Sequence, residues 1–322
     1  MGKQVLSAVC LCGLLLTACS AKPTEPEQYQ IAVICKSEDP YWDAVKIAVA
    51  DADSEFDNLS VTYSAPKTED TEQQKQLIEK AVNDKADVII LAPVSATELD
   101  STLSSAVSNG IHIITIDSDV EFAGRAMCLS TKNEDAAGIA GQYLLEHAEE
   151  GSEIAVLTHD VNVTTAQQRT EGFMNAFPED TSLILDEPID CKGDTELAEQ
   201  TAEQILMENK KISYIYTTNQ PTTLGACQAV ERMSKAGAIK DVAVVGFDFF
   251  DGAEKYLEEG ILFGVVIQNP YNMGYLAVRY ADDLLSGNPI PEVLDTGALL
   301  VTKENLNDAD VQFVINPNSD RT

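Results

Sequence analysis

Polar and charged side chains recur directly after short apolar runs of this 322-residue chain. Two of them, Asp117 and Asp248, are carboxylates, which are costly to bury unless a partner neutralises them. Carboxylates, amides and an arginine pair with hydroxyl groups, while aromatic rings cover the C–H faces of a bound molecule. This chemistry suits the reversible capture of a small, hydroxyl-rich molecule. The candidate ligand-binding residues are Asp39, Tyr41, Trp42, Asp117, Ser118, Arg169, Cys191, Asn219, Asp248 and Gln268.

A second interpretation of one of these segments is catalytic. The string Asp117-Ser118-Asp119 resembles the Asp-x-Asp motif of haloacid-dehalogenase-type phosphatases, in which the first Asp attacks and the second is the acid. That motif continues with Thr or Val two residues after its second Asp, where this chain has Glu121. A Gly-x-Ser-x-Gly elbow, a phosphate-binding Gly loop and a Gly-x-Gly-x-x-Gly fingerprint do not occur in the sequence. We therefore expect a binding protein without a cofactor, and keep the phosphatase as the alternative.

The cysteines do not predict a metal site. After the N-terminal segment the chain has Cys35, Cys128, Cys191 and Cys227, far apart and without a Cys-x-x-Cys pair. The carboxylates do not have the spacing of a calcium loop. We expect buried thiols and no metal, while a disulfide stays open in an exported protein.

The charge balance excludes one class of partner. The chain has 21 Lys and Arg residues against 53 Asp and Glu residues. Binding of nucleic acid needs clustered basic residues that neutralise phosphates, and the sequence has no such cluster. The acidity instead favours solubility and mutual repulsion in a crowded space.

Apolar runs rich in Ile and Val alternate with segments of helical periodicity. Continuously apolar runs are typical of strands that are covered on both faces of a parallel sheet. The predicted strands are 31–35, 61–63, 88–92, 111–116, 154–158, 183–185, 214–216, 242–247 and 262–267. Because one open sheet of that many strands is uncommon, two α/β lobes of Rossmann-like topology are expected. Ordered crossovers join them, since no Gly- or Pro-rich linker separates the two runs.

The N-terminal segment predicts export and lipid anchoring. Lys3 precedes an apolar run at 5–17 that is too short to span a bilayer, so residues 1–19 read as a signal peptide. The run ends in Leu-Thr-Ala-Cys19, which resembles the lipobox of bacterial lipoproteins, where the Cys receives a diacylglyceryl group. Two acyl chains give stable anchoring. Residues 20–28 then form a tether, and we expect a protein on the outer face of the cytoplasmic membrane.

Seven strings in order resemble the ribose-binding-protein class of periplasmic sugar-binding proteins. They are VICKSEDPYW, ADVIILAPVSA, GIHIITIDSD, TTAQQRTEGF, YIYTTNQPTTLGA, VAVVGFDFFDG and FGVVIQNPYNMGY. The resemblance implies the type I fold, in which two lobes joined by three crossovers close on a ligand. It implies an N-terminal lobe of residues 29–131 plus 269–291 and a C-terminal lobe of residues 132–268 plus 292–322.

The same resemblance places the family's ligand contacts on eight of the candidates. They are Asp39, Tyr41, Trp42, Asp117, Arg169, Asn219, Asp248 and Gln268. Ribose binders have an Arg at the position of Ser118 and an aromatic residue at the position of Cys191. These two departures predict a different and roomier pocket.

The candidate charges predict the type of ligand. Three carboxylates, Asp39, Asp117 and Asp248, stand against Arg169, and like charges in a desolvated site are unfavourable. We therefore expect a neutral or mildly cationic sugar or polyol. The expected partner is the permease of an ABC-type importer, with a membrane sensor kinase or chemoreceptor as the alternative, and the chain is expected to be a monomer.

Overall fold

The computed structural model describes residues 28–185 and 187–317. The predicted signal peptide, Cys19 and residues 20–27 of the tether lie outside the described residues. Within those two ranges no helix has the length and apolar character needed to cross a membrane.

The first lobe is a parallel sheet with helices on both faces. Its strands, in spatial order, are β12 (Val293–Asp295), β5 (Met127–Ser130), β4 (His112–Ile116), β3 (Val88–Leu91), β1 (Tyr29–Ile34) and β2 (Leu59–Ser64). Its helices are α1 (Asp43–Glu55), α2 (Thr71–Asn83), α3 (Asp100–Ser108) and α9 (Pro270–Leu285). One core lies between the sheet and helices α1 and α9, and the other between the sheet and helices α2 and α3.

The second lobe repeats this order. Its sheet runs β13 (Ala298–Val301), β11 (Leu262–Gln268), β10 (Ala243–Phe247), β9 (Ile212–Thr217), β6 (Glu153–Thr158) and β7 (Ile184–Leu185), and β8 (Ile189–Asp190) also pairs with β6. Its helices are α4 (Asn133–His147), α5 (Thr164–Asn175), α6 (Thr195–Glu208), α7 (Gln220–Lys235), α8 (Ala253–Glu259) and α10 (Ala309–Ile315). Only β13 runs antiparallel to its neighbour among the described strands. The predicted α/β class with two parallel-dominated lobes is confirmed.

Three crossovers join the lobes. The chain passes from β5 to α4 at residues 131–132, from β11 to α9 at Asn269, and from β12 to β13 at residues 296–297. The predicted boundary at residue 291 is wrong, because β12 pairs with β5 and so belongs to the first lobe. The sequence did not show β12 because this short edge strand is largely exposed and lacks a continuous apolar run.

Helices α4 and α5 pack closely enough to require a glycine. A Cβ atom on Gly172 of α5 would lie 2.2 Å from the backbone oxygen of Glu134 in α4. A Cβ atom on Gly138, on the facing helix, would lie 3.6 Å from the backbone oxygen of Gly172, which is ordinary contact. The close approach fixes the first turn of α4 against the C-terminal half of α5, and the first turns of both helices line the cleft between the lobes.

These two glycines give a matched test of the packing. We expect Gly172→Ala to lower the free energy of unfolding by about 1–3 kcal/mol, because the helices must separate to admit the methyl group. Gly138→Ala is expected to leave stability unchanged or raise it by up to about 1 kcal/mol, because alanine is the better helix former. Urea unfolding of both variants measures the difference. Equal effects of the two substitutions would contradict the packing described here.

Candidate ligand-binding site

Each lobe ends one central strand with a partly buried carboxylate in the same backbone conformation. Asp117 follows β4 with φ of 64°, and Asp248 follows β10 with φ of 67°. Asp is one of the few residues that tolerate this left-handed region. The backbone N–H of Asp117 donates to the backbone oxygen of Leu129 at 2.9 Å, and that of Asp248 donates to the backbone oxygen of Val266 at 2.8 Å. These bonds continue the hydrogen-bond ladder to the neighbouring strand in each lobe. The two lobes therefore hold equivalent carboxylates at the carboxyl ends of their sheets.

In the first lobe Lys36 neutralises Asp117. The Lys36 ammonium lies 2.6 Å from Asp117 Oδ2 and 2.6 Å from Ser118 Oγ. The Tyr41 hydroxyl donates to Asp117 Oδ1 at 3.2 Å. Both oxygens of the carboxylate are thus held in place by donors from the segment that follows β1.

The titration of this cluster follows from burial and charge. Burial alone would raise the pKa of Asp117, but the charge of Lys36 and the hydrogen bonds from Lys36 and Ser118 hold that pKa below its usual value. Burial, followed by the charges of Asp117 and Asp248, raises the pKa of Tyr41 far above its usual value. Tyr41 therefore stays protonated and can donate to Asp117.

In the second lobe Arg169 neutralises Asp248. The Arg169 guanidinium donates to Asp248 Oδ2 at 3.1 Å and to the backbone oxygen of Thr218 at 2.9 Å. Its Nε donates to Asn133 Oδ1 at 2.8 Å, and its central carbon lies 3.7 Å from the centre of the Phe247 ring. With so many fixed contacts the guanidinium is rigidly oriented. The amide of Gln268 donates to the other oxygen of Asp248 at 2.7 Å.

A cavity of about 680 Å³ opens between the lobes beside Asp117. One wall consists of loops that follow the strands of the first sheet, and the other consists of the first turns of α4 and α5. Its lining residues are Lys36, Glu69, 93–96, 117–119, 130–135, 163–165 and Gln168. The cavity is polar, with apolar side chains on both walls, as expected for a site that binds a small hydroxylated molecule.

The structure brings some of the predicted residues together. Asp117 and Ser118 line the cavity. Tyr41 joins them through Asp117, and the group of Arg169, Asp248 and Gln268 forms one connected network in the second lobe.

Four other candidates lie elsewhere. Trp42 is 4% exposed in the first core, where its ring packs against Tyr41. Adjacent residues of a helical turn point in different directions, so Tyr41 faces the cleft and Trp42 faces the sheet. Asp39 is exposed and accepts from the N–H of Tyr41 at 3.0 Å, at the start of the turn. Cys191 is fully buried in the second core, and Asn219 caps α7 by accepting from Thr222 N at 3.1 Å. In this structure these four side chains pack in a core or accept backbone hydrogen bonds, and none of them lines the cavity.

Sequence reasoning missed two residues of the site. Asn133, the first residue of α4, orients Arg169 and lines the cavity. Lys36 is not among the predicted ligand-binding residues, although its position directly after the first apolar run is the same signal that selected Asp117. The pairing of Lys36 with Asp117 joins residues that are 81 positions apart, so only the fold reveals it.

The phosphatase alternative does not fit the geometry. Its two carboxylates have separate partners, since Asp117 pairs with Lys36 and Asp119 lies 2.7 Å from the Arg125 Nε. Among the described residues, no group of three or more His, Cys, Asp or Glu side chains is arranged to hold a metal ion. The segment thus presents an ion-paired binding loop.

Fold and cleft together define a two-lobed solute-binding protein of type I topology, and comparison with known proteins agrees. Residues 31–289 match the sequence profile of the periplasmic binding protein domain. The D-allose-binding periplasmic protein of Escherichia coli (strain K12) is 27% identical over 296 residues, which are 87% of this chain and 91% of that protein.

Solved structures show the same architecture. A sugar-binding protein of a Bacillus halodurans ABC transporter is similar with a TM-score of 0.79 and 26% identity, over 87% of this chain and 99% of that one. A carbohydrate solute-binding protein of Agrobacterium radiobacter, in complex with D-arabinose, is similar with a TM-score of 0.75 and 26% identity, over 90% of this chain and 99% of that one. The chain belongs to the ribose-binding-protein-like, type I family of periplasmic sugar-binding proteins.

His159 packs beside Arg169 and stays neutral. Its Nδ1 lies 2.8 Å from the Thr218 hydroxyl and its Nε2 lies 3.3 Å from the Thr165 hydroxyl. Burial, followed by the charge of Arg169, lowers the pKa of His159 to about 4. In the unfolded chain the pKa of this histidine is near 6.5. Between pH 6.5 and about 4 the imidazole is therefore protonated in the unfolded state and neutral in the folded state.

This predicts a specific loss of stability in acid. Because the unfolded state binds more protons between pH 6.5 and about 4, the free energy of unfolding falls as the pH is lowered through that window. The amide of His159→Gln keeps hydrogen-bonding capacity but does not titrate. Between pH 7 and pH 5 we expect the free energy of unfolding of this variant to fall by about 1–2 kcal/mol less than that of the unsubstituted chain. Urea unfolding at both pH values measures this. His112→Gln, which removes an exposed histidine, is the control, and an identical pH response of His159→Gln and this control would contradict the assignment.

Proposed function

We propose that this protein captures a neutral sugar or similar polyhydroxylated molecule between its lobes and delivers it unchanged to the permease of an ABC-type importer. The observation that carries the proposal is the pair of ion-paired carboxylates, Asp117 and Asp248, one from each lobe. A molecule with several hydroxyl groups can donate to both carboxylates at once, and only when the lobes are closed.

The relatives support this reading of the cleft. The proteins named above bind D-allose or were solved with D-arabinose, and others of the same fold were solved with D-fucose and D-allose. All of these ligands are neutral and hydroxyl-rich. Of the two departures from the ribose binders, Ser118 lines the cavity and Cys191 is buried in the core, so the proposed change of sugar depends on Ser118.

The charges of the site favour a neutral ligand. Asp117 and Lys36 cancel, Asp248 and Arg169 cancel, and Asp39 does not line the cavity. The two ion pairs are therefore neutral, while the cavity lining as a whole has more acidic than basic residues, so the expectation of a neutral or mildly cationic ligand stays. An anionic sugar would meet Glu69, Glu134 and other acidic residues of the cavity rim, which is unfavourable.

Binding proceeds by stabilisation of a closed form. Open and closed forms interconvert at the three crossovers, and the ligand favours the form in which it contacts both lobes. Micromolar affinity corresponds to about 8 kcal/mol. A few charge-assisted hydrogen bonds of about 1.5–3 kcal/mol each supply this after the cost of ordering.

The N-terminal segment extends the proposal to location. A diacylglyceryl group on Cys19 would keep the two lobes near the outer face of the cytoplasmic membrane, and the tether would let them reach the permease. Loss of membrane association in a Cys19→Ala chain, measured by fractionation, is the expected result. A chain that stays membrane-bound without Cys19 would contradict lipid anchoring.

A screen of ligands tests the function itself. The two lobes are purified from residue 28 onward and mixed with neutral pentoses, hexoses, polyols and disaccharides, and with sugar phosphates and uronic acids. We expect a rise in melting temperature and calorimetric binding for at least one neutral compound, and weaker binding of its phosphorylated or uronic form. Tighter binding of the charged form would contradict the proposed site.

Variants test the two-lobe contact. Asp117→Asn and Asp248→Asn are each expected to weaken binding of the best compound at least tenfold, because a charge-assisted hydrogen bond of about 1.5–3 kcal/mol is lost. Asp84→Asn removes a carboxylate that pairs with Lys80 on the exposed surface and serves as the matched control. Loss of affinity in only one of the two cleft variants would show that a single lobe binds the ligand.

A further inference from the structure

Two neutral amide side chains line the cavity on the wall of the second lobe. Asn133 is the first residue of α4, and Gln168 lies in α5, one position before Arg169. The Asn133 amide bonds to both of them, to the Arg169 Nε at 2.8 Å and to the Gln168 amide at 3.3 Å. Gln168 is not among the predicted ligand-binding residues, and nothing above gives it a role.

Arg169 determines which atoms of the two amides face each other. A guanidinium can only donate, so the Asn133 atom that meets it is the Oδ1 oxygen. The Asn133 Nδ2 group therefore points to Gln168 and donates to its Oε1 oxygen. This turns the Nε2 group of Gln168 away from Asn133. The polarity of both amides thus follows from the one group in the chain of contacts that is always a donor.

The Nε2 group of Gln168 is available to a ligand. Among the described residues it has no hydrogen-bond partner, although the Gln168 side chain is only half exposed. It is also not one of the unpaired polar atoms that the protein encloses, so it is accessible from the cavity that Gln168 lines. Its two N–H groups are therefore unused donors on the wall of the cavity.

The orientation of this donor is fixed by the network behind it. Arg169 is held by Asp248 Oδ2 at 3.1 Å and by the backbone oxygen of Thr218 at 2.9 Å, so it cannot turn to suit Asn133. If the Gln168 amide turned round, its Nε2 group would face the Asn133 Nδ2 group, and the hydrogen bond between the two side chains would be lost. The cavity is thus offered N–H groups at this position and not a carbonyl oxygen.

A fixed donor selects for an oxygen atom on the ligand. The Gln168 Nε2 group cannot accept a hydrogen bond, so a ligand atom beside it must have a lone pair. A sugar hydroxyl or ring oxygen meets this requirement, whereas a deoxy position does not. Asp117, which lines the same cavity, makes the opposite demand, because its carboxylate accepts hydrogen bonds from ligand hydroxyls.

We propose that Gln168 is a specificity-determining residue whose amide donates to one oxygen of the bound sugar. Asn133 is the positioning residue that keeps this donor facing the cavity. The inference rests on the proposed sugar-binding function and deepens it, because it requires an oxygen at one particular position of the sugar.

Calorimetry with deoxy sugars tests the inference. The probes are D-allose, D-arabinose, D-fucose and D-glucose with any tighter neutral compound of the ligand screen, and the monodeoxy forms of the tightest one. Gln168→Met keeps the length of the side chain and removes the amide. We expect it to weaken binding of the parent sugar about three to ten times, the worth of one neutral hydrogen bond. For one monodeoxy form, which is weaker than its parent with the unsubstituted chain, the variant is expected to bind form and parent equally.

A second variant tests the positioning role. Asn133→Asp keeps an oxygen for Arg169 but has no N–H group for Gln168, and its carboxylate attracts the Nε2 group away from the cavity. It is therefore expected to lose discrimination at the same sugar position as Gln168→Met. Combining the two substitutions should not change that discrimination further, because both remove the same hydrogen bond.

Gln76→Met is the matched control, because Gln76 is an exposed residue of α2 that does not line the cavity. It is expected to keep every affinity ratio between parent and deoxy forms, and melting curves show that all variants fold. If Gln168→Met keeps all these ratios as well, the inference is wrong while the sugar-binding function stands. If none of the probes nor any compound of the neutral screen binds, the proposed function falls and the inference with it.

Discussion

Each lobe of this protein holds a partly buried carboxylate at the end of a strand, and such a carboxylate is unfavourable unless it is neutralised. Ionised groups removed from water cost several kcal/mol unless a cation and hydrogen bonds replace the solvent. Lys36 performs this for Asp117 and Arg169 performs it for Asp248. Each pair fixes a carboxylate at the carboxyl end of its sheet, and the Asp117 carboxylate lines the cavity.

The two lobes place their carboxylates at equivalent positions of the sheet but neutralise them with different side chains. Both sheets have the same strand order, and both carboxylates follow the same strand of that order with a left-handed backbone. In the first lobe the flexible ammonium of Lys36 neutralises the carboxylate and also donates to Ser118. In the second lobe the guanidinium of Arg169 neutralises it, and Asn133 and the face of the Phe247 ring hold that group in place. Because Lys and Arg differ in reach and rigidity, the Asp248 carboxylate is held more rigidly than the Asp117 carboxylate.

Most of the fold could be predicted because the central strands are continuously apolar. Each predicted run overlaps a strand of the structure. The predicted runs miss β5, β8, β12 and β13. Of these, β12 and β13 lie at sheet edges and are partly exposed, while β5 and β8 are only four and two residues long, so none of them has a long apolar run. The third crossover was therefore placed too early.

The site could be predicted in part, for an equally physical reason. Strand ends select Asp117 and Asp248, because position along a strand is local information. Whether Tyr41 or Trp42 faces the cleft depends on packing against the sheet, and the partner of Asp117 depends on long-range contacts. Cys191 also follows a strand, yet its side chain is buried in the second core. Sequence position alone does not separate these cases.

The central claim is that one ligand is held by both carboxylates at once. A crystal structure of residues 28–322 with the tightest-binding neutral sugar tests it directly. The account predicts that hydroxyl groups of a single molecule lie within about 3 Å of both the Asp117 and the Asp248 carboxylates. A bound sugar that contacts the carboxylate of one lobe only would contradict it.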